Sequence, residues 1–491
     1  MTVSPAPTDA LARIEDMARL EAVAREDLAL LSYPAKEWVK PAPERDGQHV
    51  YDVLIVGAGQ TGLAISHSLI RQGVTNILVL DKNPEGYEGV WDDFARMETL
   101  RTPKALCGIE LGTASLSVQR WYIAKHGQEA WDAIQRIPRL EWMDYLRWFR
   151  RLLDLPVRND VQVSDVRDGS DGIVLVDCME GEKRETLAAR YVVLATGFDG
   201  AGRWAVPEVI TDNLPPERYS HSNGPIDFAA LKDKRIGVLG HGASAFDASA
   251  AALEASAASV DLCFRRKRLP VVNPHRHLET AGSLAFFPEL SDATRWAIAK
   301  HFKTVDQPPA HSGFYAATKF ADFHIHTDAA WEAISLDGDG AIRVTTPHET
   351  FTFDHLIPAT GYVVDFTARP ELTSLAPHVL LWKERFTPPA GEEHSMLGEF
   401  PYLGVDYQFL VKTPGEAPWL GRVFAFNFSG AVSMGPHSTS ISGHKYALPR
   451  LVRGLTQRLF LDQEESVMPD LVAYDEIDLN IPAALQGRAA E

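Results

Sequence analysis

The stretch Tyr51-Asp52-Val53-Leu54-Ile55-Val56-Gly57-Ala58-Gly59-Gln60-Thr61-Gly62 is an apolar, β-branched run that stops at a glycine cluster. The run predicts a buried strand, and Gln60 to Gln72 reads as a helix. The glycines fit G-x-G-x-x-G. Gly57 permits a tight turn, Gly59 lets the backbone approach a pyrophosphate, and Gly62 lets helix and strand pack closely, with the helix N-terminus and the amide of Gln60 facing the negative charge. A second apolar run, Asn76-Ile77-Leu78-Val79-Leu80, ends at Asp81, the acid such a unit turns toward ribose hydroxyls. Strand, turn, helix and strand in this order define a parallel dinucleotide-binding unit.

The order recurs at Arg235 to Leu239, Gly240-His241-Gly242-Ala243-Ser244-Ala245, an Ala-rich helix and Val260-Asp261-Leu262-Cys263-Phe264. Ala245 takes the helix-packing position, and Gly242, Ala243 and Ser244 offer the phosphate-facing backbone. This second strand ends in Arg265-Arg266-Lys267-Arg268 instead of an acid. Arg265 or Arg266 can pair with a 2′-phosphate that an acid would repel, so the expected coenzyme is NADPH; a solvated basic loop is the plainer alternative. Two segments of strand, Ala-Thr-Gly and aromatic, Val192 to Phe198 and Leu356 to Tyr362, bracket the second unit and place Thr196 and Thr360 beside a cofactor.

With 491 residues, 45% of them apolar, the chain is long enough for about three domain-sized units. A net charge of −18 would repel phosphate backbones and anionic bilayers, so nucleic acid and membrane are not expected partners. Cys107, Cys178 and Cys263 form no C-x-x-C pair. The N-terminus lacks a basic start followed by an apolar core, and no run of about 18 apolar residues occurs, which reads as cytoplasmic.

Leu11, Ile14, Met17, Leu20, Ala24 and Leu28 draw one stripe along a helical arm, a docking helix for the main body or for a second copy in a homo-oligomer. Trp142, Tyr145, Leu146, Phe149, Leu152 and Leu153 lie on one face of a helix from Arg139, which should pack inside the first unit. The expected fold is α/β, with two Rossmann-like domains, the NADPH domain inserted in the FAD domain. The expected divisions are an N-terminal arm and linker (1–50), the first part of the FAD domain (51–207), the NADPH domain with helices and loops inserted at about 270–330 (208–345), and the second part of the FAD domain with a tail (346–491).

On these two turns and two Ala-Thr-Gly strands, the chain resembles the class B flavin-dependent monooxygenases, which include flavin-containing monooxygenases, ornithine/lysine N-hydroxylases and Baeyer-Villiger monooxygenases. The resemblance spans roughly Tyr51 to Arg450. It implies FAD on the first turn, NADPH on the second, and a glycine-tryptophan segment near the flavin, matched by Glu88-Gly89-Val90-Trp91. Met97 to Lys104 looks like the N-hydroxylase layout, in which a Lys after the Trp segment contacts the substrate or flavin region, so Lys104 and Arg101 become catalytic candidates. Asn427 to His437 corresponds to a stretch that lies against the flavin, read here as strand, small residues and helix start, with His437 at its end. Of the FxGxxxH pattern of the Baeyer-Villiger and flavin-containing monooxygenases only His221-Ser222 survives; His221 is the third catalytic candidate.

The pairs His275/His277 and His324/His326 would each share a strand face, but no Cys or acid at recognisable spacing completes a metal site, and none is expected; these histidines could instead line a substrate cavity. No G-x-S-x-G elbow occurs in a strand-to-helix context. The resemblance therefore implies a monooxygenase that forms a C4a-(hydro)peroxyflavin from O2 and passes one oxygen to a small substrate, by N-hydroxylation or S-oxygenation first. Its alternatives are Baeyer-Villiger oxygenation of a ketone, an NADPH oxidase or reductase without oxygenation, and a non-catalytic flavin-bound redox sensor.

Overall fold

The computed structural model describes residues 7–45, 47–106, 108–338, 340–480 and 482, with the side chains of 7–12 and 14 left aside; Cys107, Leu11 and Ile14 thus fall outside the described residues or side chains. The helical arm is α1 (Pro7–Leu30). Leu20 and Ala24 are buried and Met17 and Leu28 pack on the core, against the helix Val118–His126 of the same chain. Glu21 fixes the arm, accepting from Trp148 Nε1 at 3.2 Å and pairing with Arg151 at 3.2 Å.

The first sheet grows from β1 (Val50–Val56) and β2 (Ile77–Leu80), joined by α2 (Gln60–Arg71). Beyond them come β3 (Val157–Arg158), β4 (Val161–Asp168), β5 (Val174–Glu180) and β6 (Lys183–Leu194), in the spatial order β3-β2-β1-β6-β5-β4. β6 serves twice. Its first half closes an antiparallel meander with β5, and its second half lies parallel to β1, Val56 opposite Leu194. The helix Arg139–Leu152 buries Trp142, Tyr145, Leu146, Phe149 and Leu152 on this unit, as its apolar stripe requires.

After β7 (Gly202–Trp204) the chain enters a second, wholly parallel sheet of β8 (Arg235–Leu239), β9 (Ser259–Cys263), β10 (Phe323–His326) and β14 (His355–Pro358), ordered β10-β9-β8-β14. A small meander, β11 (Ala333–Leu336), β12 (Ile342–Thr345) and β13 (Thr350–Phe353), precedes β14. The chain returns through β15 (Tyr362–Val364), antiparallel to β7, and adds β16 (Val423–Ala425) beside β6. This is the two-domain flavoprotein architecture with one dinucleotide unit set inside the other.

Three details differ from the sequence reading. We place the end of the second unit after Pro358 instead of at 345, because β14 completes its sheet. The stretch 270–330 holds the helices Asp292–Val305 and His311–Thr318 but also β10, an edge strand whose apolar-polar alternation, Phe323-His324-Ile325-His326, is only four residues long and too short to predict a strand. Near the C-terminus, β16 precedes Asn427, and the long helix Ile441–Leu461 starts four residues beyond His437, capped by Ser440 Oγ on the Gly443 amide at 3.1 Å.

Candidate functional site

The first glycine turn sits at the C-terminal ends of β1 and β6. Gly57 has φ +103°, and a Cβ there would lie 2.5 Å from the Ala195 carbonyl oxygen; at Gly62 a Cβ would lie 1.8 Å from the Gly57 carbonyl oxygen. Both are glycines for the protein's own packing. Gly59 is different. Its φ of −62° and ψ of −176° suit any residue, and a Cβ would meet only the Gly89 Cα at an ordinary 3.5 Å. Nothing in the described protein requires glycine at 59, and the open turn fits an FAD pyrophosphate that would lie over it at the N-terminus of α2.

Asp81 accepts from the Ala58 amide at 2.7 Å and the Asn83 amide at 2.8 Å, one to each oxygen, leaving lone pairs for ribose hydroxyls. Burial raises its pKa, with the two amides pulling the other way. Gln60 turns its side chain inward, accepting from Trp142 Nε1 at 3.1 Å, so its contribution to a cofactor is its backbone. Trp91 is half-buried on its loop, its carbonyl held by Arg139.

Around the same cradle, Asn427 donates to Thr196 Oγ1 at 3.1 Å while its Oδ1 accepts from the Ser429 amide and hydroxyl at 3.0 and 2.7 Å. Thr61 Oγ1 meets His444 Nε2 at 3.1 Å, and burial holds that imidazole down at about 4. Asn427 and His444 escaped the sequence reading as individual residues, although both lie in or just past the small-residue stretch that it singled out.

The second turn repeats the construction. Gly240 has φ +141° with a would-be Cβ 2.5 Å from the Ala359 carbonyl oxygen, whereas Gly242 has φ −79° and nothing within 4 Å of its Cβ position. Each Ala-Thr-Gly strand thus supports a glycine turn from below, Ala195 under Gly57 and Ala359 under Gly240. Thr360 donates to the Ala205 carbonyl at the ribbon between units. Gly242 opens the turn to a second pyrophosphate beside Ala243 and Ser244. Arg265 is exposed, but Arg266 donates to the Thr304 carbonyl at 2.8 Å and lies 3.8 Å from Asp306.

Between the units, arginines converge from three segments. Arg96 donates to the carbonyls of Ser222 and Gly224. Arg101 lies 3.6 Å from the buried Asp247, and its carbonyl accepts from Arg276 at 3.2 Å. Arg276 pairs with Glu279 at 2.6 Å, and Arg136 lies within the field of both. Burial lowers the pKa of Arg96 and Arg136 and raises that of Asp247. His437 Nε2 meets the His275 carbonyl at 3.0 Å, with burial lowering its pKa, and Ser442 reaches Glu279 at 3.4 Å.

Of the catalytic candidates, Arg101 belongs to this cluster, and His437, named with the cofactor residues, joins it. Lys104 stands apart: its ammonium donates to the Trp131 carbonyl at 2.6 Å and sits 4.7 Å over that ring. His221 stacks on Trp204 (5.4 Å between centroids, 15°) beside the ribbon, and burial lowers its pKa to about 4. Arg96, Arg136, Arg276, Asp247 and Glu279 had no motif to announce them. Of the H-x-H pairs, His324/His326 shares a face of strand β10 as expected, with His326 on Asp261 at 2.8 Å, whereas His275/His277 lies in a 3₁₀ turn.

Two intact dinucleotide cradles joined by a β-ribbon, with a cluster of arginines and acids where they meet, define a flavoprotein oxidoreductase that couples FAD to a nicotinamide dinucleotide. Residues 54–199 match the profile of the FAD-NAD(P)-binding family, and residues 131–305 that of the L-lysine 6-monooxygenase/L-ornithine 5-monooxygenase family. An FAD-dependent urate hydroxylase of Xanthomonas campestris pv. campestris is 43% identical over 463 residues, covering 94% of this chain and 97% of that protein. Among solved structures, the ornithine hydroxylase of Pseudomonas aeruginosa (TM-score 0.65, 18% identity, 84% of this chain, 100% of that one) shares the fold. So does the ornithine N-hydroxylase of Kutzneria sp. 744, solved with reduced FAD, NADP+ and L-ornithine (TM-score 0.62, 17% identity, 83% and 99%). The chain belongs to the FAD-dependent monooxygenase family that contains this urate hydroxylase and is an oxidoreductase. No helix among the described residues is long and apolar enough to cross a membrane.

Proposed function

We propose that the chain hydroxylates a small planar anion of the urate class, inserting one atom of O2, with NADPH as reductant. One observation carries the reading: Arg96, Arg101, Arg136 and Arg276 gather beside Asp93, Asp247 and Glu279, four guanidiniums to three carboxylates, in a chain of net charge −18. Urate is an anion at neutral pH, and planar guanidinium forks suit its coplanar oxygens. The identity with urate hydroxylase along nearly the whole chain supports the same substrate.

FAD, when bound, supplies two-electron redox chemistry and dioxygen activation. The protein's part is to bind and orient. Gly59 and the start of α2 hold the pyrophosphate, Asp81 the ribose, and Trp91 and Asn427 flank the flavin end. Arg276 and Arg136 hold the substrate anion, with Arg101 kept in place by Asp247. Because the His275 carbonyl can only accept, neutral His437 carries its proton on Nε2, and Nδ1 is the acceptor available for a substrate proton.

N-hydroxylation of an amine is the second reading, favoured by the lysine/ornithine monooxygenase profile over residues 131–305; there Asp247 and Glu279 would meet the ammonium. The two readings differ in the sign of the substrate's charge. Purified FAD-loaded enzyme is given NADPH, O2 and, separately, urate, ornithine, lysine, a sulfide and a ketone, with products read by mass spectrometry. Urate plus one oxygen is expected. A product from the amines alone selects the second reading, an oxygenated ketone restores the Baeyer-Villiger one, and stoichiometric peroxide in every case leaves an oxidase.

A further inference from the structure

We infer that Asp306 sets how far the second cradle discriminates between nicotinamide coenzymes with and without a 2′-phosphate, by keeping Arg266 engaged. The helix Asp292–Val305 is an insertion foreign to the dinucleotide unit, and it ends on Asp306 with φ +62°. That residue's Oδ1 accepts from the Gln307 amide at 2.9 Å, which aims Oδ2 at the glycine turn. Oδ2 lies 3.1 Å from Nε2 of His241, the middle residue of Gly240-His241-Gly242, and 3.8 Å from Arg266. Arg266 also donates to the Thr304 carbonyl at 2.8 Å, so the end of the inserted helix holds its guanidinium at two points. His241 packs on Phe264, the residue that leads into the basic run.

The consequence is that the two arginines are not equivalent. Arg265 is exposed and available to a 2′-phosphate, whereas Arg266 would have to leave Thr304 and Asp306 to reach one. A phosphate brought to this corner also meets the Asp306 carboxylate, a like charge, whereas the 2′-hydroxyl of the unphosphorylated coenzyme can donate to it. Asp306 therefore lowers the preference for NADPH that the basic run alone would give. The inference rests on the second cradle being the nicotinamide site.

The test is calorimetric titration of the FAD-loaded enzyme with NADP+ and with NAD+, without substrate. For Asp306→Asn the expected result is NADP+ binding about tenfold tighter with NAD+ unchanged or weaker, since a charge-assisted bond is regained and a like charge removed. Arg266→Ala in the native background should cost NADP+ less than about threefold and Arg265→Ala about tenfold or more, while Arg266→Ala added to Asp306→Asn should remove the part of the gain that Arg266 supplies and cost NADP+ more than it does in the native background. Equal losses for Arg265→Ala and Arg266→Ala, or an NADP+/NAD+ ratio unmoved by Asp306→Asn, overturn the role of Asp306. The two arginine variants decide the matter even where Asp306→Asn is unstable. A native holoenzyme that binds neither coenzyme would instead remove the assignment of the cradle.

Discussion

Replacing Gly59 and Gly62 by alanine, one at a time, separates what the first turn does for the fold from what it does for the cofactor. At 59 the backbone angles suit alanine and the added methyl meets only the Gly89 Cα at 3.5 Å. The apoprotein should therefore be unchanged or stabilised by about 0.4–1 kcal/mol through the unfolded chain. The same methyl projects into the space for the pyrophosphate, and overpacking of about 1–3 kcal/mol weakens FAD roughly five- to 150-fold. At 62 the methyl would lie 1.8 Å from the Gly57 carbonyl oxygen, so α2 and the turn must part by more than an ångström. That costs the apoprotein about 1–3 kcal/mol, more than the helix gains by about 1 kcal/mol from losing a glycine. The assay is thermal melting of each apoprotein alone and with added FAD, together with the flavin content of the purified protein. Gly59→Ala should keep the native apoprotein Tm while losing most of the FAD-induced rise; Gly62→Ala should lose Tm before FAD is added. Purified Gly59→Ala carrying a full complement of flavin would refute the placement of the pyrophosphate.

Arg276→Ala should raise KM for urate at least tenfold with a smaller change in kcat, as loss of a charged hydrogen bond of about 1.5–3 kcal/mol implies, and steady-state kinetics on urate check it. Arg295 is buried, donating to the Ser433 carbonyl at 2.9 Å and to Asp292 at 2.5 Å, and its loss should strip the inserted helix from the C-terminal part of the first unit. Arg295→Ala should cost about 3–5 kcal/mol, read as an early melting transition and faster proteolysis near 292–305. Burial holds His221, His355 and His444 down at about 4 and His67 at about 3, so each adds stability above the unfolded histidine pKa that is lost as pH falls through its folded value. Each should cost on the order of 2 kcal/mol by pH 5, making Tm fall steeply between about pH 6.5 and 4. Asp52, raised to about 6 chiefly by burial, works in the opposite sense, and a Tm that rises on acidification would mean that it and its like prevail.

Both dinucleotide units were legible in the sequence because each is local: strand, turn, helix and strand follow one another, although the steric demands on Gly57 and Gly240 come from the distant Ala195 and Ala359. The same holds for the helix Arg139–Leu152, whose stripe reports one buried face. The arginine cluster was not legible. Arg96, Arg136, Asp247 and Arg276 lie on a loop, a turn, a helix of the second unit and the inserted segment, distant in sequence and brought together by the fold. Lys104 shows the converse. A lysine at the right distance from a tryptophan segment resembles a catalytic group, but distance along the chain does not reveal that Trp131 offers it both a carbonyl and a ring. A basic run likewise names candidates for a phosphate without disclosing that an acid from a distant helix already holds one of them.

The two cradles share a plan yet differ in how tightly they are closed, and the difference matches two kinds of tenancy. In the first, Ala58, Thr61 and Gly62 are buried, Asp81 is 7% exposed, and the Trp91 loop and the helix Ile441–Leu461 crowd the turn, with His444 reaching Thr61. In the second, His241, Ala243 and Ser244 are half-buried, Gly242 faces open space, and the basic run lies at the surface. Ala245 occupies the position of the third glycine there and is fully buried, where Gly62 has no room for a methyl against the Gly57 carbonyl. A cradle that must be opened to be emptied suits a prosthetic flavin, and one open to solvent suits a coenzyme exchanged at every turnover. The arginine cluster lies where the two meet, so on the proposed reading the substrate anion would be held beside the resident group while the nicotinamide comes and goes.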